Sequence, residues 1–139
     1  MFFKKKNKIN KDENNLEKVA ALLIHAAKID ENFSKKEEEI IKQTLIKIGA
    51  NKEKIDEIFT TGKEIENNSN QILEFTKEVK SMNENNKIKI LEALWRIIYS
   101  NDVADIYEMS LMRRLGGLLY IDSKIMGDIK EKIKNEFLK

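Results

Sequence analysis

The chain has 139 residues, 41% hydrophobic and 36% charged, which is the length of one domain with enough apolar material for a core. The absence of cysteine excludes disulfides, thiolate metal sites and thiol catalysis, and the single histidine, His25, excludes sites that need two imidazoles from one chain. No proline and only five glycines argue against a turn-rich all-β chain.

The net charge of +2 hides an asymmetry. Lys4, Lys5, Lys6, Lys8 and Lys11 precede the first acid, leaving 21 of the 26 basic residues against 24 acidic ones for the rest. A mildly acidic body of mixed sign excludes a nucleic-acid partner by electrostatics. Residues 1–11 read as a flexible basic tail, and 12–139 as the folded domain. The tail is no signal peptide, because its apolar residues are few and stand before the charges. Phe2, Phe3 and the lysines have the composition for weak contact with an anionic membrane; a solvated, frayed terminus is the plainer expectation. No apolar stretch reaches the roughly 18 residues of a spanning helix, so a cytoplasmic protein is expected.

Apolar residues recur at helical spacing almost throughout. Leu16, Val19, Leu23 and Ala26 mark a first helix. Ile40, Ile41, Leu45 and Ile48 mark a second, stopped by Gly49. Ile55, Ile58 and Phe59 mark a third, opened by Asn51 and closing near Gly62. Ile72, Phe75, Val79 and Met82 mark a fourth, and Ile88, Leu91, Leu94, Trp95 and Ile98 a fifth. Leu111, Met112, Leu115, Leu118 and Leu119 mark a sixth, whose Gly116-Gly117 pair implies close approach by another helix. Ile125, Ile129, Ile133 and Phe137 mark a seventh. The expectation is an all-α, single-domain bundle of about seven helices.

A weak internal repeat runs at an offset of 71 residues. Leu23 aligns with Leu94, Ile24 with Trp95, Glu37 with Glu108, Ile41 with Met112, Lys42 with Arg113, and Ile48 with Leu119. Each half is then a helix-loop-helix unit with acids in its loop and in the following first turn. If the two loops face each other, their carboxylates suit a hard cation such as calcium, magnesium or manganese. The competing reading is capping: Ser34-x-x-Glu37 is a capping box and Asp105-x-x-Glu108 its close relative. An EF-hand is excluded, because a loop begun at Asp30 places Lys35 at its glycine and Ile41 at its bidentate acid. His25 and Trp95 read as packed residues. Arg96, Arg113 and Arg114 read as partners of nearby acids. No phosphate loop, nucleophile elbow or histidine zinc motif is present, so no enzyme is expected.

The same residues carry a family resemblance. The first half reads Ala27-Lys28-Ile29-Asp30-Glu31-Asn32-Phe33-Ser34-Lys35-Lys36-Glu37. The second reads Leu91-Glu92-Ala93-Leu94-Trp95-Arg96, then Ser100-Asn101-Asp102, Asp105-Ile106-Tyr107-Glu108 and Leu111-Met112-Arg113-Arg114-Leu115. From about residue 12 to 138 the chain resembles the short bacterial members of the TerB-like family, named for tellurite resistance. The resemblance implies an all-helical bundle and an association with metal-stress and membrane-linked responses. It also implies cation binding by acidic loops, which carries over to Asp30, Glu37, Asp105 and Glu108. The family's Asp-Gly-Glu triplets are altered here, to Asp30-Glu31-Asn32 and Asn101-Asp102-Val103, so both loop glycines are gone. Asp102 stands at the second glycine position as the acid left in that triplet, and joins the candidate ligands. The functional expectation is a non-enzymatic cation-binding domain; the alternative is a helical module for a protein partner with caps where the family has ligands.

Overall fold

A computed structural model describes the backbone of residues 16–28, 34–68, 73–100 and 106–137, and their side chains except at 73, 74 and 106–108. Seven α-helices and one 3-10 turn, with no strand, make up the described residues. Helix α1 spans 16–28, α2 Lys35–Lys47, α3 Ile55–Asn67 and α4 Leu73–Lys80. Helix α5 spans Glu84–Tyr99, α6 Ile106–Leu118 and α7 Ser123–Phe137. The all-α bundle expected from periodicity is therefore the fold.

Helices α1 and α5 lie inside. Val19, Ala20, Ala21, Leu22 and Leu23 are all fully buried, six side chains in a row counting Ile24, as befits a helix enclosed on every face. In α5 the buried set is Ile90, Leu91, Ala93, Leu94, Trp95, Ile97 and Ile98. Helix α5 packs against α7 and α2, and α2 also meets α3. Burying each large aliphatic side chain contributes about 1.5–3 kcal/mol before entropy. Among the described residues no helix is long and apolar enough to cross a membrane.

Helix α3 does not close near Gly62, as its sequence suggests, but continues to Asn67. The glycine serves a crossing instead of a stop. A Cβ at Gly62 would lie 2.6 Å from Ala20 Cβ and 3.1 Å from the Glu17 carbonyl oxygen, so α3 meets α1 at backbone distance. Of the Gly116-Gly117 pair only Gly116 is closely approached, by Met126 of α7, while Gly117 faces open space.

The repeat is present in the architecture. Residues 35–47 of α2, shifted by 71, become 106–118, the bounds of α6. Both second helices also end alike. The Ala50 N–H donates to the Leu45 carbonyl and Gly49 N–H to Ile46, as Ile121 N–H donates to Gly116 and Tyr120 N–H to Gly117. These are two Schellman endings, with left-handed residues at Gly49 (φ 122°) and Tyr120 (φ 57°), again 71 apart.

Candidate functional site

The expected acidic site is only partly within the described residues. Asp30, Asp102 and Asp105 lie outside them, as do the N-terminal tail and the cap at Asp105, and of Glu108 only the backbone position in α6 is described. Glu37 is described, and it is fully buried. Its N–H donates to Ser34 Oγ (3.2 Å), while its Oε1 accepts from the Ser34 N–H (2.8 Å) and from Ser34 Oγ (3.0 Å). The capping box read from Ser34-x-x-Glu37 is formed. Glu37 thereby fixes where the first acidic loop enters α2. Among the described residues no group of three or more His, Cys, Asp or Glu side chains is arranged to hold a metal ion.

One aromatic ring relates the two loop ends. Lys36 Nζ, in the first turn of α2, lies 5.7 Å from the centre of the Phe137 ring, which is 6.3 Å from that of Tyr99, the last residue of α5. Tyr99 stacks in turn on Trp95 at 5.8 Å. Burial raises the Tyr99 phenol above its ordinary pKa, with a smaller contribution from Glu131. The first turn of α2 and the last residue of α5 thus lie beside the same aromatic cluster.

A second polar cluster was not visible in the sequence. Glu66 of α3, buried, accepts from Lys28 Nζ at 2.7 Å and lies 3.2 Å from His25 Nδ1. His25 also packs on Phe75, ring centres 6.4 Å apart. The cluster joins α1 to α3 one turn beyond the Gly62 crossing. A lone histidine on an apolar helix is here a packed edge residue, as its surroundings suggested.

Two grooves complete the surface of interest. In the first half, Glu38, Lys42 and Asp56 line one between α2 and α3. Lys42 Nζ meets Glu38 Oε2 at 3.0 Å and Asp56 Oδ1 at 2.9 Å, and these hydrogen bonds, Asp56 first, raise the ammonium above its usual pKa. In the second half, a pocket of about 150 Å³ opens between α5, α6 and α7, walled by Trp95, Met112 and Met126. The Trp95 indole N–H is buried and has no hydrogen-bond partner among the described residues. Arg96 pairs with Glu136 through two 3.0 Å bonds, as expected of it, whereas Arg113 and Arg114 make no ion pair among the described residues.

The family model of tellurite resistance protein TerB matches residues 16–131, most of the chain and both helix-loop-helix halves. The chain belongs to the TerB family. No curated protein and no solved structure matches it. TerB membership agrees with the all-helical bundle, and the matched span includes both acidic loops.

Proposed function

We propose that this TerB-family chain is a non-catalytic, cytoplasmic binding domain whose acidic interhelical loops take a divalent cation, calcium, magnesium or manganese. Asp30, Asp102, Asp105 and Glu108 are the candidate ligands. Glu37 is a positioning residue, because its Oε1 already accepts two hydrogen bonds from Ser34. The observation that supports the reading is the Lys36–Phe137–Tyr99 contact chain, which brings the helix that follows the first acidic loop beside the end of the helix that precedes the second. Carboxylates drawn from both loops would together supply the negative potential that a hard cation requires. By kinship the setting is a metal-stress response such as tellurite resistance.

A thermal melt tests it. Magnesium, calcium and manganese are each titrated against metal-free protein, Asp30→Asn and Asp105→Asn. A cation at 100 times its dissociation constant stabilises the fold by about 2.7 kcal/mol, a shift of several degrees. A saturable shift for one cation, lost in both variants, supports the reading; no shift for any cation overturns it. The formed capping box at Glu37 favours the second reading, an interaction module for a protein partner with caps in place of ligands, which the negative result would leave standing.

A further inference from the structure

The two halves treat one surface position differently, and this difference carries an inference independent of the cation proposal. Shifted by 71 residues, Glu38 becomes Met109, Lys42 becomes Arg113, Asp56 becomes Gly127 and Phe59 becomes Lys130. All four first-half residues line the groove between α2 and α3, and all four counterparts line the pocket between α5, α6 and α7. The two depressions are therefore the same site of the repeat, built twice.

In the first copy the cation is satisfied internally, because Glu38 and Asp56 hold Lys42 from both sides at 3.0 and 2.9 Å. In the second copy both carboxylates are missing. A thioether and a glycine replace them, and a further cation, Lys130, is added. Arg113 is exposed and forms no ion pair among the described residues, and Lys130 Nζ lies 5.6 Å from the centre of the Trp95 ring. A Cβ at Gly127 would meet nothing within 4 Å, so the place where the first copy carries Asp56 is open space. The wall behind is apolar, with Trp95, Met112 and Met126, and thioethers adapt to varied apolar shapes. The depression is open to solvent and has a volume of about 150 Å³.

We propose that this pocket binds a small organic carboxylate with a compact apolar body, such as an aromatic or branched short-chain acid. Its carboxylate takes the place of the two missing acids and pairs with Arg113, whose guanidinium forms bidentate bonds with that group, and with Lys130. Its body lies on the indole and the thioethers.

Trp95 is the only tryptophan, so fluorescence excited at the indole and not at the three tyrosines reports on this residue and its surroundings. The full chain is titrated with benzoate, phenylacetate and 3-methylbutanoate, and with benzamide and phenylacetamide as uncharged counterparts. Ligand-detected NMR on the same samples supplies a readout that does not depend on the indole. At least one acid is expected to bind saturably, with a dissociation constant of about 1 mM or tighter for a ligand of this size. Its amide, and Arg113→Gln with the acid, are each expected to bind about tenfold more weakly, the loss of a charge-assisted pair. Gly127→Asp restores the acid of the first copy and is expected to abolish binding while leaving the helical circular dichroism intact. No saturable binding of any acid, an amide as tight as its acid, or undiminished binding in Arg113→Gln or Gly127→Asp would each overturn the proposal.

Discussion

Substituting alanine for three glycines should change stability in opposite directions, because the space each would fill differs. A helical glycine is less favourable than alanine by about 1 kcal/mol, so the substitution is stabilising wherever the new Cβ fits. At Gly117 and Gly127 that Cβ meets nothing within 4 Å. Both variants should gain about 0.5–1 kcal/mol. At Gly62 it would stand 2.6 Å from Ala20 Cβ, about 1 Å short of ordinary carbon contact. Backbone atoms also crowd the position, with the Glu17 oxygen at 3.1 Å and the Ala21 nitrogen at 3.3 Å, so no rotamer change relieves the contact. Helices α1 and α3 must separate, at the cost of about 1–3 kcal/mol typical of overpacking, which outweighs the propensity gain. The separation also strains the Lys28–Glu66 bond one turn along α3. Urea unfolding of the three variants measures the signs. In the Gly62→Ala background, Ala20→Gly should cost less than it does alone, since it removes the colliding methyl. A Gly62→Ala protein as stable as Gly127→Ala, or no coupling between positions 20 and 62, would refute the close crossing.

The paired Schellman endings give a second test. Gly49→Ala should lose about 1–2 kcal/mol with no steric clash, from the positive φ alone, and Tyr120→Gly should gain up to about 1 kcal/mol less its contact with Lys80, both read by urea midpoints. Glu66→Leu should lose about 1–3 kcal/mol, because a buried carboxylate that accepts from Lys28 is removed, and the loss should shrink in Lys28→Met, as a double-mutant cycle would measure. The Arg96 guanidinium holds the Glu136 carboxyl below its ordinary value of 4.5, first through their hydrogen bond. A lowered folded pKa means that the unfolded chain takes up the proton first. The contribution is therefore full above about pH 4.5 and fades as the pH falls through the folded value. Glu136 is 42% exposed, so solvent limits it to about 0.5 kcal/mol, and Glu136→Gln should flatten the acid limb of the urea midpoint against pH by that amount.

Much of the fold was legible because helical periodicity, caps and the offset of 71 are local or self-referential signals. Ser34 and Glu37 announced their capping box, and Gly49 its helix end. Gly62 was misread for a physical reason: one residue type serves both a helix stop and a helix crossing, and only the partner helix distinguishes them. Tyr120 adopts a glycine-like φ with no glycine in the sequence to reveal it. The Glu66 cluster was invisible because it depends on α3 lying against α1, and the second-half pocket because Trp95, Met112 and Met126 share the spacing of any core stripe. Of the legible acids, Glu37 is the one whose side chain is described, and it forms the capping box.

The repeat also places different side chains at matching positions of one scaffold. Positions 28 and 66 join α1 to α3 through the Lys28–Glu66 ion pair at 2.7 Å. Their counterparts, 99 and 137, join α5 to α7 through the Tyr99–Phe137 ring contact at 6.3 Å. Three residues earlier on the central helices, His25 pairs with the same Glu66, and its counterpart Arg96 pairs with Glu136, the neighbour of Phe137. In both halves the central helix is tied to the third helix of its own unit at the same height. In the first half both ties converge on one carboxylate, and the neighbouring groove is closed by the Glu38–Lys42–Asp56 network. In the second half the ties divide between an aromatic contact and an exposed ion pair, and the matching groove keeps a cation without its acids. A structural role for that groove would favour the closed form, since an ion-pair network satisfies its own charges. The open form leaves Arg113 without an ion pair among the described residues, and a bound carboxylate is the chemistry that would answer it.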